Sequence, residues 1–468
     1  MTAPTYAVYD PATLEVVGEA PQHTEEDVRD AIRQAERASV SWAADREARR
    51  GALRQIAALI RQDADRLGRL LSLEQGKVLA EAIGEFKTSA DLFAYYADLE
   101  WDDTETLPPR QGRTIEVQHL PVGIVGTITP WNFPISLLSV KLAPALVAGC
   151  TVIAKPSPTT PLSTIALVQL INQVLPQGVV QTRTSSNRTV NVALSTLPEI
   201  RKISFTGSTE VGTAVAAQAA ETVKRVTLEL GGNDAALVLD DADIEHTAQG
   251  ILNSAFRNAG QVCMAVKRVY VPRSIANELS EAMAAQTQNF VVGHGVQANT
   301  TMGPMHNESQ LSTVRSLVDN AVSSGAQVIA GGSSSSELPG YFMDPTIVID
   351  TNAQMPLVYE EQFGSALPIV TYDDVDTTVA EINNGPYGLG ASVWSQDLDR
   401  AKQLASRLES GTVWINQHTV VELDAPFGGW KTSGLGRERG RWGLDEYLEP
   451  RTINTFVGLN SAASNNNR

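Results

Sequence analysis

Val122-Gly123-Ile124-Val125-Gly126-Thr127-Ile128 runs directly into Thr129-Pro130-Trp131-Asn132-Phe133-Pro134. The first seven residues are almost continuously apolar, the pattern of a strand buried on both faces of a parallel sheet. The next six carry two prolines and an asparagine, so the chain turns there, and Pro134 suits the first position of a helix. Ligands of open α/β sheets bind at such strand ends. Asn132 could present a side-chain N–H to a developing oxyanion there, although a plain helix-start turn accounts for the same residues equally well.

Working outward, residues 114–120 alternate like a half-buried strand. The helix after Pro134 leads to a strand at 151–154, and a second helix at 162–174 leads onward. Further strands are expected at 202–205, 225–229 and 235–239. Strand and helix alternating in this way predict a doubly wound α/β domain. The second half repeats the alternation through helices near 243–257, 274–289 and 308–323 and a strand at 327–330, which predicts a second α/β domain. The first hundred residues read as helical. Thr24 caps a helix with Asp27 three residues on, and Val28, Ile32 and Ala35 follow at helical spacing. A longer helix near 47–73 places Leu53, Ile56, Ile60, Leu67 and Leu70 on one side and an arginine-rich face toward solvent. A third helix in the 80s and 90s ends before Pro108-Pro109. Ser333 to Ser336 form a short polar loop, the tail 461–468 is expected to be disordered, and no internal repeat is visible.

The 468 residues allow two or three domains, and 43% hydrophobic with 19% charged residues is ordinary for a globular enzyme. A formal charge of −17 speaks against nucleic acid and against an anionic membrane surface as partners. No apolar run reaches membrane-spanning length, and Met1-Thr2-Ala3-Pro4-Thr5-Tyr6 lacks a basic n-region and an apolar h-region, so a cytoplasmic location is expected. The six histidines lack ligand spacing, and no metal site is assigned.

Two cysteines in so long a chain rule out a disulfide framework, so each needs its own explanation. Cys150 ends an apolar run and reads as a small buried hydrophobe at a helix-to-strand junction. Cys263 follows Asn258-Ala259-Gly260-Gln261-Val262, a polar, glycine-bearing turn in which a thiol can be exposed and partly ionised, as a nucleophile must be. Ile203-Ser204-Phe205-Thr206-Gly207-Ser208-Thr209-Glu210-Val211-Gly212 has the order strand, tight turn, helix, and its glycines would let backbone N–H groups approach a phosphate. It is neither a GxGxxG nor a Walker A motif. Lys155-Pro156-Ser157 and Glu229-Leu230-Gly231-Gly232 also end strands, and Glu229 could serve as a base. Strand ends of one sheet converge on one edge, so Asn132, Lys155, Gly207 and Glu229 are expected at one site.

These segments, together with Asn258–Cys263, Glu360-Glu361-Gln362-Phe363-Gly364 and Pro426–Glu438, resemble the aldehyde dehydrogenase superfamily over almost the whole chain, in the NAD(P)-dependent, non-acylating form. The resemblance implies a Rossmann-like cofactor domain from 1–102 and 122–231 and an α/β catalytic domain from 232–425. A small β-hairpin oligomerisation element would come from 103–121 and 448–460, with 426–447 returning to the cofactor domain, and a homodimer or homotetramer would follow. It also implies Cys263 as nucleophile, Glu229 as general base and Asn132 in the oxyanion hole. NAD or NADP would lie against Ile128, Trp131, Lys155, Ser157, Phe205, Gly207, Ser208, Val211, Leu230, Glu361 and Phe363. Phe133, Leu137, Val140, Val262, Met264, Leu423 and Phe427 would line an apolar tunnel suited to aliphatic or aromatic aldehydes rather than a charged semialdehyde, for no arginine is among them, although loops at the domain interfaces could still supply one. The product would be a free acid. The alternatives are a CoA-acylating enzyme, against which Glu229 argues, and an inactive binding protein on the same scaffold.

Two departures stand out. Pro158 occupies the position where the family often has the glutamate that binds the adenosine ribose, so NADP should be accepted as well as NAD. Residues 181–191 bring Thr182, Arg183, Ser185 and Asn191 where apolar residues and glycines are usual. Buried polar groups cost stability unless paired, so this segment is expected either to be mobile or to hold the adenine end differently, with Arg183 or Arg188 meeting a phosphate.

Overall fold

A computed structural model describes residues 4–333 and 339–457. Ser334 to Ser336, the tail 461–468 and residues 458–460 of the expected oligomerisation element lie outside the described residues. The buried strand predicted after Val122 is Ile124–Ile128, all five residues buried, and it is the pivot of a six-stranded sheet. Thr151–Lys155 and then Val180–Thr182 lie on one side of it, and Ile200–Thr206 and then Arg225–Glu229 on the other, all parallel. Gly434–Leu435 returns late in the chain to close the far edge antiparallel to Arg225–Glu229. The chain therefore reverses its direction of travel across the sheet between Ile124–Ile128 and Ile200–Thr206. That is the topological switch point, and the crevice beyond its carboxyl ends is the natural ligand position of such a sheet. Thr129–Asn132 and Thr206–Ser208 are the two turns that emerge there.

Asp234–Val238 does not extend this sheet. It is a central strand of a second, seven-stranded sheet in which Val266–Pro272, Ala366–Tyr372, Gly390–Trp394 and Thr412–Ile415 run parallel and Gln327–Ala330 pairs antiparallel at one edge. Each sheet carries its own apolar core. Thr104–Arg110, Arg113–Pro121 and Leu448–Phe456 form a separate three-stranded antiparallel sheet, with Leu448–Phe456 on one edge.

The helical N-terminal region forms for the reasons its sequence gives. Thr24 and Asp27 make a reciprocal capping box at the start of Glu25–Ala44, an arrangement that contributes about 1 kcal/mol. Leu53, Ile56, Ile60 and Leu67 are buried along Arg46–Gln75, and Leu70 is half-buried. The arginine-rich face of that helix is only partly solvated, contrary to expectation. Arg54, Arg61 and Arg66 are exposed. Arg49 and Arg50 are buried, donating to the carbonyls of Trp42, Ala43 and Val147 and of Ala97 and Leu99 respectively. These carbonyls belong to the ends of three neighbouring helices, where unpaired C=O groups attract cations.

Most polar groups of the 181–191 segment are paired, although Thr182 Oγ1 and Asn191 Oδ1 are buried without a partner among the described residues. Gln181 donates to Ala31 O at 2.7 Å, and the Arg183 guanidinium donates to Asp27 O, Thr182 O and Gln181 Oε1. Thr184, Ser185 and Ser186 are tied to Pro21, Gln22 and His23. The polar groups thus exchange bonds with the first helix and the strand before it, and the donors of Arg183 are spent inside the protein.

Candidate active site

Residues 258–260 make the decisive local feature. Asn258, Ala259 and Gly260 have φ of 48°, 54° and 76°, three successive left-handed residues. Non-glycine residues in that region are strained, and such strain persists only where the surroundings enforce it. The surroundings do so here. Asn258 donates to Asn132 O at 3.2 Å, Gln261 donates to Asn258 O and receives His306 N, and a Cβ at Gly260 would sit 2.2 Å from Gly364 O. The turn delivers Cys263 between two cavities.

The smaller cavity, about 260 Å³, is lined by Trp131, Asn132, Leu137, Thr206, Gly207, Ser208, Leu230, Cys263, Glu361 and Phe363, among others. The larger, about 560 Å³, is lined by Phe133, Val140, Glu229, Val262, Met264 and Phe427, together with Asn132, Leu137, Thr206 and Cys263. The four residues common to both mark their junction. Of the expected cofactor residues, Trp131, Gly207, Ser208, Leu230, Glu361 and Phe363 line the smaller cavity, and of the expected tunnel residues Phe133, Val140, Val262, Met264 and Phe427 line the larger, with Leu137 on both.

On the first side, Phe205 and Ile128 lie buried below the crevice floor. A Cβ at Gly207 would come 2.6 Å from the Phe205 ring, so only glycine lets this turn lie against it. Ser208 caps the helix Thr209–Ala220, and Val211 in its first turn packs on the same core. Lys155 and Ser157 are buried at the next strand end. Lys155 donates to no described residue, and burial pushes its amine down to about 8. Trp131 is stacked on His306 at 4.5 Å and meets Phe363 edge-on at 5.6 Å. His306 in turn bonds Thr159 Oγ1 at 2.7 Å and is kept neutral by burial, its ring pushed down to about 4. Glu361 accepts from Gly232 N at 3.1 Å and lies 3.8 Å from Lys267 Nζ. The groove, the partnerless Lys155 and the buried, unbonded Thr206 Oγ1 fit a dinucleotide.

On the second side, Asn132 Nδ2 uses one N–H on Gln261 O at 3.0 Å, and its other N–H has no acceptor among the described residues. Its backbone carbonyl is held by Lys77 Nζ at 2.8 Å, and Lys77 also pairs with Glu85. Glu229 is buried with both carboxylate oxygens unbonded. Burial first, then Glu438, raises it well above the usual carboxylate range, against the pull of Lys141 and Arg437. Beneath it, Lys141 forms a buried ion pair with Glu438.

The expected partly ionised thiol is corrected by this setting. Cys263 is half-buried, but the packed protein around it pushes the thiol up to about 12. Lys267 pulls it down, and Glu361, Asp234 and Glu229 push it further up. The resting sulfur is protonated, so a base must take its proton.

One further expectation fails, and one possibility left open is realised. Leu423 does not line the larger cavity. It packs on the core beside the first sheet, and its carbonyl accepts from Gly440 N, while Thr419 and Val421 of the same loop face the cavity. The cavity is also not free of arginine, because Arg257 and Arg439 line it with Glu81, Glu85 and Glu438. Arg257 precedes the left-handed turn by one residue, and Arg439 comes from the segment that returns to the first sheet. Neither adjoins the residues expected to form the tunnel.

A family model described as "Aldehyde dehydrogenase family" matches residues 1–453. The chain belongs to that family. It is 39% identical to 3-sulfolactaldehyde dehydrogenase of Pseudomonas putida over 96% of this chain and 93% of that protein. It is 38% identical to a succinate-semialdehyde dehydrogenase [NADP(+)] of Escherichia coli over 94% and 92%. Among solved structures, betaine aldehyde dehydrogenase of Staphylococcus aureus with NAD+ superposes with a TM-score of 0.94 at 34% identity, covering 97% of this chain and 92% of that one. The family and these relatives establish an NAD(P)-dependent oxidation of an aldehyde to the acid, and they do not favour the CoA-acylating or inactive alternatives. No helix among the described residues is long and apolar enough to cross a membrane.

Proposed function

We propose that Cys263, Glu229 and Asn132 carry the chemistry of this aldehyde dehydrogenase, and that the larger cavity receives an aldehyde bearing an anionic tail. The observation that supports the assignment is the position of Cys263 and Asn132 on the wall shared by the two cavities, with the unbonded carboxylate of Glu229 in the larger one. Glu229 takes the proton from Cys263 Sγ, and the sulfur attacks the carbonyl carbon. The open N–H of Asn132 and the backbone N–H of Cys263 donate to the oxygen as it gains charge. Loss of one such donor costs about 3–4 kcal/mol. The dinucleotide, when bound against Lys155, Ser157, Gly207, Ser208, Glu361 and Phe363, accepts the hydride released by the oxidation. Glu229 passes the thiol proton to solvent, takes one from the water that attacks the thioester carbon, and returns it to the departing Cys263 sulfur as the acid leaves.

The anionic tail is supported by Arg257 and Arg439 in the cavity wall and by the semialdehyde and sulfolactaldehyde substrates in the names of the relatives. A cytoplasmic homodimer or homotetramer goes with this reading. The open edge strand Leu448–Phe456, with Ile453 and Phe456 exposed, supports self-association, which light scattering would measure. The direct test is a panel of carboxylated and uncharged aldehydes with NAD and with NADP, following the absorbance of reduced cofactor with and without CoA. Acid formation independent of CoA is expected, with both cofactors used because Pro158 removes a carboxylate from the ribose end. Failure of every aldehyde, with folded protein and a free thiol, would defeat the reading.

A further inference from the structure

Arg439 is expensive to hold where it stands. Its backbone has φ 69° and ψ 164°, a combination almost confined to glycine. The segment is clamped there from both sides. Phe427 and Glu438 exchange two backbone bonds of 2.8 Å, Gly440 N donates to Leu423 O at 2.9 Å, and Tyr96 Oη donates to Gly440 O at 3.2 Å. A glycine would adopt the same backbone without strain. The guanidinium adds a second cost, because it donates no hydrogen bond to any described residue although it is enclosed deeply enough for burial to depress its basicity. A desolvated cation without a partner is destabilising. Two costs at one position in the wall of the cavity that contains Cys263 and Glu229 mark a residue kept for a ligand.

The charge already present does not explain it. Glu438 is paired with Lys141, and the cations that act most on Glu229 are Lys141 and Arg437. Glu229, Glu438 and Glu422 favour the charged form of Arg439, yet none bonds to it. Five N–H donors fixed in a planar fork and open to a cavity match a carboxylate or sulfonate. We infer that Arg439 helps select aldehydes with a remote anionic group, by binding that group, alongside Arg257 in the same cavity wall, while the carbonyl lies at Cys263. This inference rests on the proposed use of the larger cavity as the substrate tunnel.

The test compares wild type, Arg439→Gln and Arg439→Gly on 4-oxobutanoate and 5-oxopentanoate against butanal and pentanal, at saturating cofactor, with thermal melting of each protein. Charge-assisted bonds of this kind correspond to roughly 10- to 150-fold in affinity. Both variants should lose that much kcat/KM on the two carboxylated aldehydes, through KM, and change less than about threefold on the alkanals. Arg439→Gly should melt no lower than wild type, because strain and an unpaired charge leave together. Equal losses on charged and uncharged aldehydes would instead make Arg439 a support for Glu229 and overturn the inference, as would no loss on either. A wild type that prefers alkanals overturns it while the dehydrogenase reading stands. A wild type that oxidises none of the four overturns both.

Discussion

The two cysteines of this chain are raised alike by burial and differ in the space around them. Cys150 is fully enclosed at the junction of Pro134–Ala148 and Thr151–Lys155, its Sγ 3.5 Å from Tyr447 O, and burial pushes its thiol up to about 11. Cys263 is pushed up to about 12, so burial raises both thiols alike. Resting acidity therefore does not single out the nucleophile in this protein. What separates the pair is space and a partner. Cys150 faces Val125 and its neighbours in a closed core, while Cys263 opens onto two cavities, one of which holds a buried carboxylate that is raised and unbonded.

The strongest way to break the contrast is to remove each sulfur in turn. Cys263→Ala should abolish oxidation, a loss of roughly 10,000-fold or more in kcat, in line with the loss of other enzymic nucleophiles. Cys150→Ala should keep activity within about twofold and lower stability by about 1 kcal/mol for the small void left behind. Iodoacetamide labelling followed by peptide mass analysis should modify Cys263 first. Activity retained in Cys263→Ala, or labelling of Cys150 in the folded protein, would reverse the assignment.

The next effect tests the partner. Glu229→Gln should slow both the burst of reduced cofactor and steady turnover, the latter about 100- to 10,000-fold, the range for a lost general base. The carboxyl of Glu229 is raised, so it is protonated at low pH and gains its power as a base as pH climbs through that raised value. The kcat of wild type should accordingly rise with pH, and Glu229→Gln should flatten that limb. A burst kept at the wild-type rate would show that Glu229 acts only in hydrolysis of the thioester and that another base takes the thiol proton.

How far these contrasts could be read beforehand differs along the chain. The strand before Thr129 and the turns at Asn132, Gly207 and Glu229 were legible because apolar runs and glycines are local signals that strand ends amplify. The capping box at Thr24 was legible for the same reason. Arg49 and Arg50 were not, since helical periodicity cannot tell that an arginine will be drawn to the carbonyl ends of other helices. Gln181 and Arg183 looked out of place in a strand, yet the acceptors that satisfy them lie about 150 residues earlier, at Ala31 and Asp27. Arg257 and Arg439 meet in one cavity from segments more than 180 residues apart, and only the folded chain brings them together. The acidity of Cys263 was misjudged because a polar, glycine-bearing turn does not reveal how densely protein will surround the sulfur.

The finest distinction between the two thiols lies in Lys267. Read along the sequence it is one residue of a strand. In the fold its amine is buried, donates to Val262 O at 2.6 Å and Cys263 O at 3.2 Å, lies 3.8 Å from Glu361 and sits 5.5 Å from the Phe363 ring centroid. It is the strongest influence opposing burial at Cys263, whereas at Cys150 backbone N–H groups take that part and Lys202 and Arg49 act more weakly. One cation thus stabilises the Cys263 thiolate and ties its loop to Glu361. Lys267→Met should raise the Cys263 thiol by about one pH unit, so that alkylation at fixed pH slows about tenfold. Cys150 and the melting transition of Cys263→Ala serve as controls for the thiol and for the fold. If alkylation of Cys263 keeps its pH dependence in Lys267→Met while stability falls, the lysine serves only to satisfy two buried carbonyls and does not set the acidity of the thiol.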